Sequence, residues 1–273
     1  MNKLNILFCA VLLSMLAMSS CQPSSTPTPT ITPFPTRPID PVTLNILFIG
    51  SSHVYYSRAA VNLPKIFSWM AESGGHTVNV DHASEPGVRL EDHLANPDTL
   101  AKIKSTKWDY VVLQESHWTA QDKSEREEHM MPAVRALDQM IKENGAQTIL
   151  YMTWPIPGAL YMGNELGDEY FDAQAQMAEG NLEVAQEIDA LVAPAGLAFE
   201  SALQQKPGIS LWYGGDNSGH ASGMGQYLTA AVFYALIYQE SPEGLEFVYQ
   251  PEETARLMQS VAAETVLADN KDN

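Results

Sequence analysis

The chain has 273 residues, 45% of them hydrophobic, and carries 15 Lys and Arg against 33 Asp and Glu, a net charge of −18. So acidic a surface repels phosphate backbones and excludes nucleic acid as a partner. Its two cysteines, Cys9 and Cys21, both lie near the N-terminus, which excludes a structural disulfide in the folded part.

A short basic start, Met1-Asn2-Lys3, precedes an apolar run from Leu4 to Met18 and then Ser19-Ser20-Cys21. This is the order of a secretory signal, and the run is too short for a comfortable membrane span. Leu16-Ala17-Met18-Ser19-Ser20 before Cys21 resembles a bacterial lipobox. The resemblance implies that residues 1–20 are a cleaved signal peptide and that Cys21 is acylated as the mature N-terminus; an ordinary secretory signal is the alternative. Residues 21–42, rich in Pro, Thr and Ser, have little to bury and are expected to form a semi-rigid, extended tether. Residues 43–273 are left for one domain, long enough to stand on its own core.

Thr43 to Ile49 reads as a buried strand bounded by Pro41 and Gly50. Asn62-Leu63-Pro64 opens a helix, with Asn62 as its cap and Pro64 in the first turn. Leu63, Ile66, Phe67 and Met70 share one face of it, and Gly74-Gly75 ends it. A short strand covers Thr77 to Val80, Val88 to Lys104 is helical in pieces, and Trp108 to Gln114 is a strong third strand. Glu125 to Asn144 is a long helix with Met130, Val134, Leu137 and Ile141 on one face. Thr148 to Thr153 is the fourth strand. Trp154 to Asp168, rich in Gly, Pro and Tyr, is a loop on the carboxyl edge that walls a substrate site. Tyr170 to Ala190 is helical, Leu191 to Ala193 is a short fifth strand, and helices over Ser222 to Gln239 and Glu252 to Ala268 close the chain. Strands alternating with helices pair in parallel, because each crossover needs a helix to return the chain. The fold class is therefore α/β, a three-layer α/β/α sandwich with about five parallel strands.

Ser52 stands where the first strand ends, in Ile49-Gly50-Ser51-Ser52-His53, and Asp216-Asn217-Ser218-Gly219-His220 comes late. Open α/β sheets bind ligands at this carboxyl edge. A serine hydroxyl becomes a useful nucleophile when a histidine takes its proton, and the order Ser…Asp…His suits an esterase.

These two segments resemble the first and last blocks of the SGNH (GDSL-type) hydrolases. The intervening pieces agree in order. Pro86-Gly87-Val88 stands where the second block's glycine belongs. Trp108 to Ser116 stands where the third block's strand ends, and Val192-Ala193-Pro194-Ala195-Gly196 resembles the strand before the final block. The resemblance implies the flavodoxin-like SGNH hydrolase fold, with Ser52 as nucleophile and His220 as base. Ser51 replaces the family's Asp or Asn, and its hydroxyl can still brace the turn. The family's acid lies three residues before the histidine, where this chain has Asn217. Asp216, one residue further back, is the favoured orienting acid, reached through a one-residue bulge; Asn217 is the alternative.

The oxyanion needs donors where negative charge develops. The Ser52 and Gly87 amides and one side-chain amide would serve. The third-block Asn has no clear counterpart, but Gln114-Glu115-Ser116 resembles the Gln-Gly-Glu-Ser pattern of the sialate O-acetylesterase branch. That makes Gln114 the side-chain donor and Glu115 a support for its loop. His53 is read as a pocket wall. Trp118, Trp154 and Trp212 form either a sugar-stacking rim or part of the core.

No metal or cofactor is expected. His-Glu-x-x-His is absent, Glu91-Asp92-His93 would face apart on a helix, and no Gly-rich phosphate loop appears. The resemblance implies an extracytoplasmic, lipid-anchored serine ester hydrolase. It would remove short acyl groups from glycan or small-molecule esters through an acyl-serine. Its expected partners are that ester substrate and, through the lipid, a membrane. A non-catalytic glycan- or ligand-binding lipoprotein on the same scaffold is the alternative. A lipase acting on long acyl chains is a third reading, and no long apolar lid supports it.

Overall fold

A computed structural model describes residues 43–156, 161–162, 165–213, 219–247 and 251–268. Cys21 and the tether therefore lie outside the described residues, as do Asp216 and Asn217.

Five strands form one parallel sheet: β1 (Leu44–Gly50), β2 (Val78–Ser84), β3 (Tyr110–Leu113), β4 (Gln147–Tyr151) and β7 (Leu191–Ala193). Their order is β2-β1-β3-β4-β7. The chain winds outward from β1 to β2, then returns to pair β3 on the other side of β1. The switch point of the sheet is thus the crevice between β1 and β3, where such folds place a ligand.

Alternation along the strands divides the core into two layers. Ile46 and Phe48 of β1 point to one side with α1 (Leu63–Ser73), α8 (Ala195–Gln205), α9 (Gly223–Tyr238) and α10 (Glu252–Leu267). Leu47 and Ile49 point to the other, with α2 (Leu90–Ala95), α3 (Pro97–Ser105), α6 (Met131–Glu143) and α7 (Asp168–Ile188). Helix α9 is buried on nearly every face, because α1 and α10 cover what the sheet does not. Phe233 from α9 meets Phe48 edge-on at 5.2 Å, and Phe67 from α1 completes the cluster at 6.2 Å. Truncating Phe48 to Ala should cost about 3–5 kcal/mol, the usual cost of emptying an aromatic core site.

The structure bears out the three-layer sandwich and five parallel strands. Several local expectations change. Strand β2 runs four residues further than Val80. It is an edge strand paired only to β1, and its polar Asn79 and Asp81 hide the pattern. The helix expected from Glu125 is broken into α5 (Lys123–Glu125), a π-turn over Arg126–Met130, and α6. Pro132 lacks the N–H that would close an α-turn onto Glu128, and Met131 N donates instead to the Arg126 carbonyl, five residues back. Helix α8 was not foreseen behind Pro194 and Gly196, nor was the short helix α4 (His117–Gln121). The segment expected as a loop from Trp154 contains a minimal hairpin, β5 (Tyr161–Met162) and β6 (Glu165–Leu166). Among the described residues no helix is long and apolar enough to cross a membrane.

Candidate active site

The carboxyl ends of β1 and β3 are locked together just before Ser52. Gln114 N donates to the Ile49 carbonyl at 2.9 Å, and the Gln114 side chain packs flat on Gly50. A Cβ at Gly50 would fall 2.6 Å from Gln114 Oε1, so glycine is the residue that lets β3 approach. Gln114 Oε1 accepts from both the amide (2.7 Å) and the hydroxyl (3.0 Å) of Ser51. From the other side, His93 Nε2 donates to the Gly50 carbonyl at 2.9 Å, with Thr99 Oγ1 3.0 Å from its Nδ1. Val54 N and Tyr55 N then close onto the Ser51 carbonyl. The chain turns back sharply, and the Ser52 hydroxyl is left at the mouth of a cleft.

His220 approaches on a separate support. The extended segments on either side of it pair as a short antiparallel bridge, Trp212 to Ala221, with Tyr213 N donating to the His220 carbonyl and Ser222 N to the Leu211 carbonyl. Trp154 Nε1 donates to the Gly219 carbonyl at 2.8 Å, and the Trp154 ring stacks on Phe199 at 3.7 Å. Tyr56 lies face to face with the imidazole at 3.8 Å. Its own backbone is held by Asn62, whose Oδ1 accepts from Tyr56 N; Asn62 therefore does not cap α1 with its side chain, as the sequence suggested. These supports bring His220 Nε2 to 2.8 Å from Ser52 Oγ, across 168 residues of sequence.

The cleft, about 330 Å³, is lined by Ser52, His53, Tyr56, Gly87, His117, Trp118 and their neighbours. Gly87 has φ +76°, a left-handed conformation that favours glycine, and it lines the cleft beside Ser52. Neither the Ser52 nor the Gly87 amide is engaged by another backbone group among the described residues. Both stay available to a developing oxyanion.

Gln114 departs from its expected role. It is fully buried beneath the turn, its Oε1 spent on Ser51 and its Nε2 donating to the Glu115 carbonyl. A side chain so engaged braces the turn that carries Ser52 and does not face the cleft. Glu115 holds its loop as expected: one carboxylate oxygen accepts from Ser116 N and the other from Leu90 N, at the start of α2. Burial pushes its carboxyl up to about 7, against the pull of those two N–H groups and Arg89.

Two further histidines stand around His220. His53 lines the cleft and stacks between His117 and Trp154, each at 5.4 Å. Burial, reinforced by the neighbouring histidines, lowers His53 to about 3 and His117 to about 4. Both are neutral at ordinary pH, so neither places a positive charge beside the His220 ring. Sequence reasoning missed Tyr56, His93 and His117. The signal for His117 was available, since it follows Gln114-Glu115-Ser116 at the same sheet edge. The contacts of Tyr56 and His93 depend on long-range folding and leave no local mark. Of the three tryptophans, Trp154 and Trp212 are core, and Trp118 stands at the rim.

No family model and no curated protein matches the sequence. Solved structures do. A DUF4886 family protein from Bacteroides uniformis is 15% identical at TM-score 0.67, with 85% of this chain and 98% of that one covered. A protein of Slackia heliotrinireducens classed as an SGNH hydrolase is 28% identical at TM-score 0.53, covering 70% and 97%. A variant of an acetyl xylan esterase from Geobacillus stearothermophilus is 19% identical at TM-score 0.55, covering 76% and 97%. The first and third are similar to this chain in fold; the second is similar in sequence as well.

Proposed function

We propose that this chain, which belongs to the SGNH hydrolase superfamily, is a serine ester hydrolase that removes short acyl groups from carbohydrate or small-molecule esters. The observation that carries the reading is the 2.8 Å contact between Ser52 Oγ and His220 Nε2 at an open cleft. As Ser52 Oγ attacks the ester carbonyl carbon, its proton passes to His220. The oxyanion is held by the Ser52 and Gly87 amides. The imidazolium then gives the proton to the leaving alcohol as the C–O bond breaks, leaving an acyl-serine. Water, deprotonated by His220, attacks that acyl group; the acid leaves and Ser52 regains its proton. The face of Tyr56 against His220 holds the imidazole plane in place. Asp216 is assigned to orient His220, with Asn217 as the alternative.

A cleft of about 330 Å³ is at the small end of ligand sites. It must hold part of the alcohol too, which supports a short acyl group. The lipobox-like run before Cys21 and the tether of residues 21–42 support a lipid-anchored, extracytoplasmic enzyme.

The test is hydrolysis of p-nitrophenyl acetate and octanoate by wild type, Ser52→Ala, His220→Ala and the double variant. Each single change should lower kcat by about 10⁴ or more, and the double should cost little beyond either, because the pair acts as a unit. Acetate should be preferred. A wild type that shows neither turnover nor an acyl burst would overturn the reading in favour of a ligand-binding lipoprotein.

A further inference from the structure

Two large hydrophobic side chains stand exposed among the described residues, Trp118 at 64% and Tyr55 at 44%. Trp118 follows β3 and forms part of the cleft wall. Tyr55 immediately precedes Tyr56, a wall residue, and its ring stacks on His82 of β2 at 4.8 Å and 12°. Because the sheet order is β2-β1-β3, the strand that backs Tyr55 and the strand that leads to Trp118 lie on opposite sides of β1, which leads to Ser52. Two strand spacings separate β2 from β3, about 10 Å.

The Tyr55 platform is braced from below. His82 Nδ1 lies 2.8 Å from Ser84 Oγ, and the His82 carbonyl accepts from Lys102 Nζ at 2.8 Å. Lys102 also pairs with Asp81, which leaves polar groups around an aromatic face. Single exposed apolar residues are ordinary on a surface, but here the two exposed large rings stand next to one cleft, Trp118 in its wall and Tyr55 beside the wall residue Tyr56. A flat ring with polar neighbours suits a pyranose, whose C–H face covers the ring while its hydroxyls reach the rim. The net charge of −18 disfavours an anionic polysaccharide.

We propose that Tyr55, backed by His82, forms a second sugar subsite opposite Trp118, and that the alcohol is a neutral oligosaccharide crossing over Ser52. One ring rests on each platform and the acyl group between them enters the cleft. The identity of the acyl-bearing position rests on the ester-hydrolase reading; the glycan binding itself does not.

Binding to the full chain carrying Ser52→Ala separates the two, with O-acetylated cello-, xylo- and chito-tetraose and their monosaccharides as probes in titration calorimetry. At least one tetraose should bind about tenfold or more tighter than its monosaccharide, about 1.4 kcal/mol. Adding Tyr55→Ala or Trp118→Ala should each remove that advantage, and Tyr55→Phe should restore it, since a phenyl ring still stacks. Failure of every tetraose to outbind its monosaccharide would overturn the proposal. So would Tyr55→Ala that keeps the full length advantage, even if wild type hydrolyses p-nitrophenyl acetate. Failure of that hydrolysis with the length advantage intact would remove the enzyme reading and leave the subsite.

Discussion

Ser52 stands on a turn braced by buried polar contacts, from Gln114 to Ser51 and from His93 to Gly50, whereas His220 stands on a short bridge set among aromatic rings, Tyr56, Trp154 and Phe199. A buried hydrogen bond fails as soon as one partner goes, because the other is left unsatisfied. Aromatic packing yields more gradually, because a ring of similar shape keeps most of the contact. The nucleophile side should therefore respond to substitution in folding stability, and the histidine side in catalysis. The following changes break or sharpen that contrast.

The largest effect on the histidine side belongs to its orienting residue. Asp216→Ala should lower kcat by about 10⁴, as loss of a triad acid does, while Asn217→Ala costs under roughly tenfold. Steady-state kinetics at one pH decides between them, and the reverse order would assign the role to Asn217.

On the nucleophile side, Gln114→Ala leaves the Ser51 amide without an acceptor and opens a cavity. Stability should fall by about 2–4 kcal/mol in urea denaturation. A fall in kcat of about 10²–10³ at unchanged stability would instead restore Gln114 as an oxyanion donor.

Trp154→Phe keeps the stack on Phe199 but removes the donor to the Gly219 carbonyl. Stability should drop by about 1 kcal/mol, with kcat reduced several-fold as His220 loosens. If kcat is untouched, the bridge alone holds the histidine.

Stability also depends on pH. His53 and His117 are depressed below the ordinary value of 6.5, so they contribute stability above that pH that is lost as pH falls toward about 4 and then about 3. Glu115 is raised from 4.5 to about 7, so its contribution is full below pH 4.5 and lost as pH rises through 7. Between 4.5 and 6.5 the two histidines outweigh the one carboxyl; above 6.5 only the carboxyl acts. Urea midpoints should peak near pH 6.5, and Glu115→Gln should remove the decline above it. A midpoint still climbing at pH 8 in the wild type would contradict this.

The sheet was legible because β1, β3 and β4 are apolar runs bounded by turn residues, and because strands and helices alternate. The positions of Ser52 and His220 were legible from their places at the sheet's carboxyl edge. What the sequence hid is direction. Gln114 is the right residue type at the right strand end, yet its amide points under the turn, where the Ser51 amide and hydroxyl both donate to its Oε1. Helix α8 was hidden because Pro194 stands at its N-cap and Gly196, a weak helix former, in its first turn, although Ala198, Phe199, Ala202 and Leu203 carry a helical face. The clamp of Trp154 on Gly219 spans 65 residues and has no local signature.

The central claim is that Ser52 is the activated nucleophile and His220 its base. Reaction of the full chain with a fluorophosphonate, followed by peptide mapping, tests it most directly. The adduct should sit on Ser52 alone, vanish in Ser52→Ala and form far more slowly in His220→Ala. An adduct on another serine, or one that persists in Ser52→Ala, would contradict it.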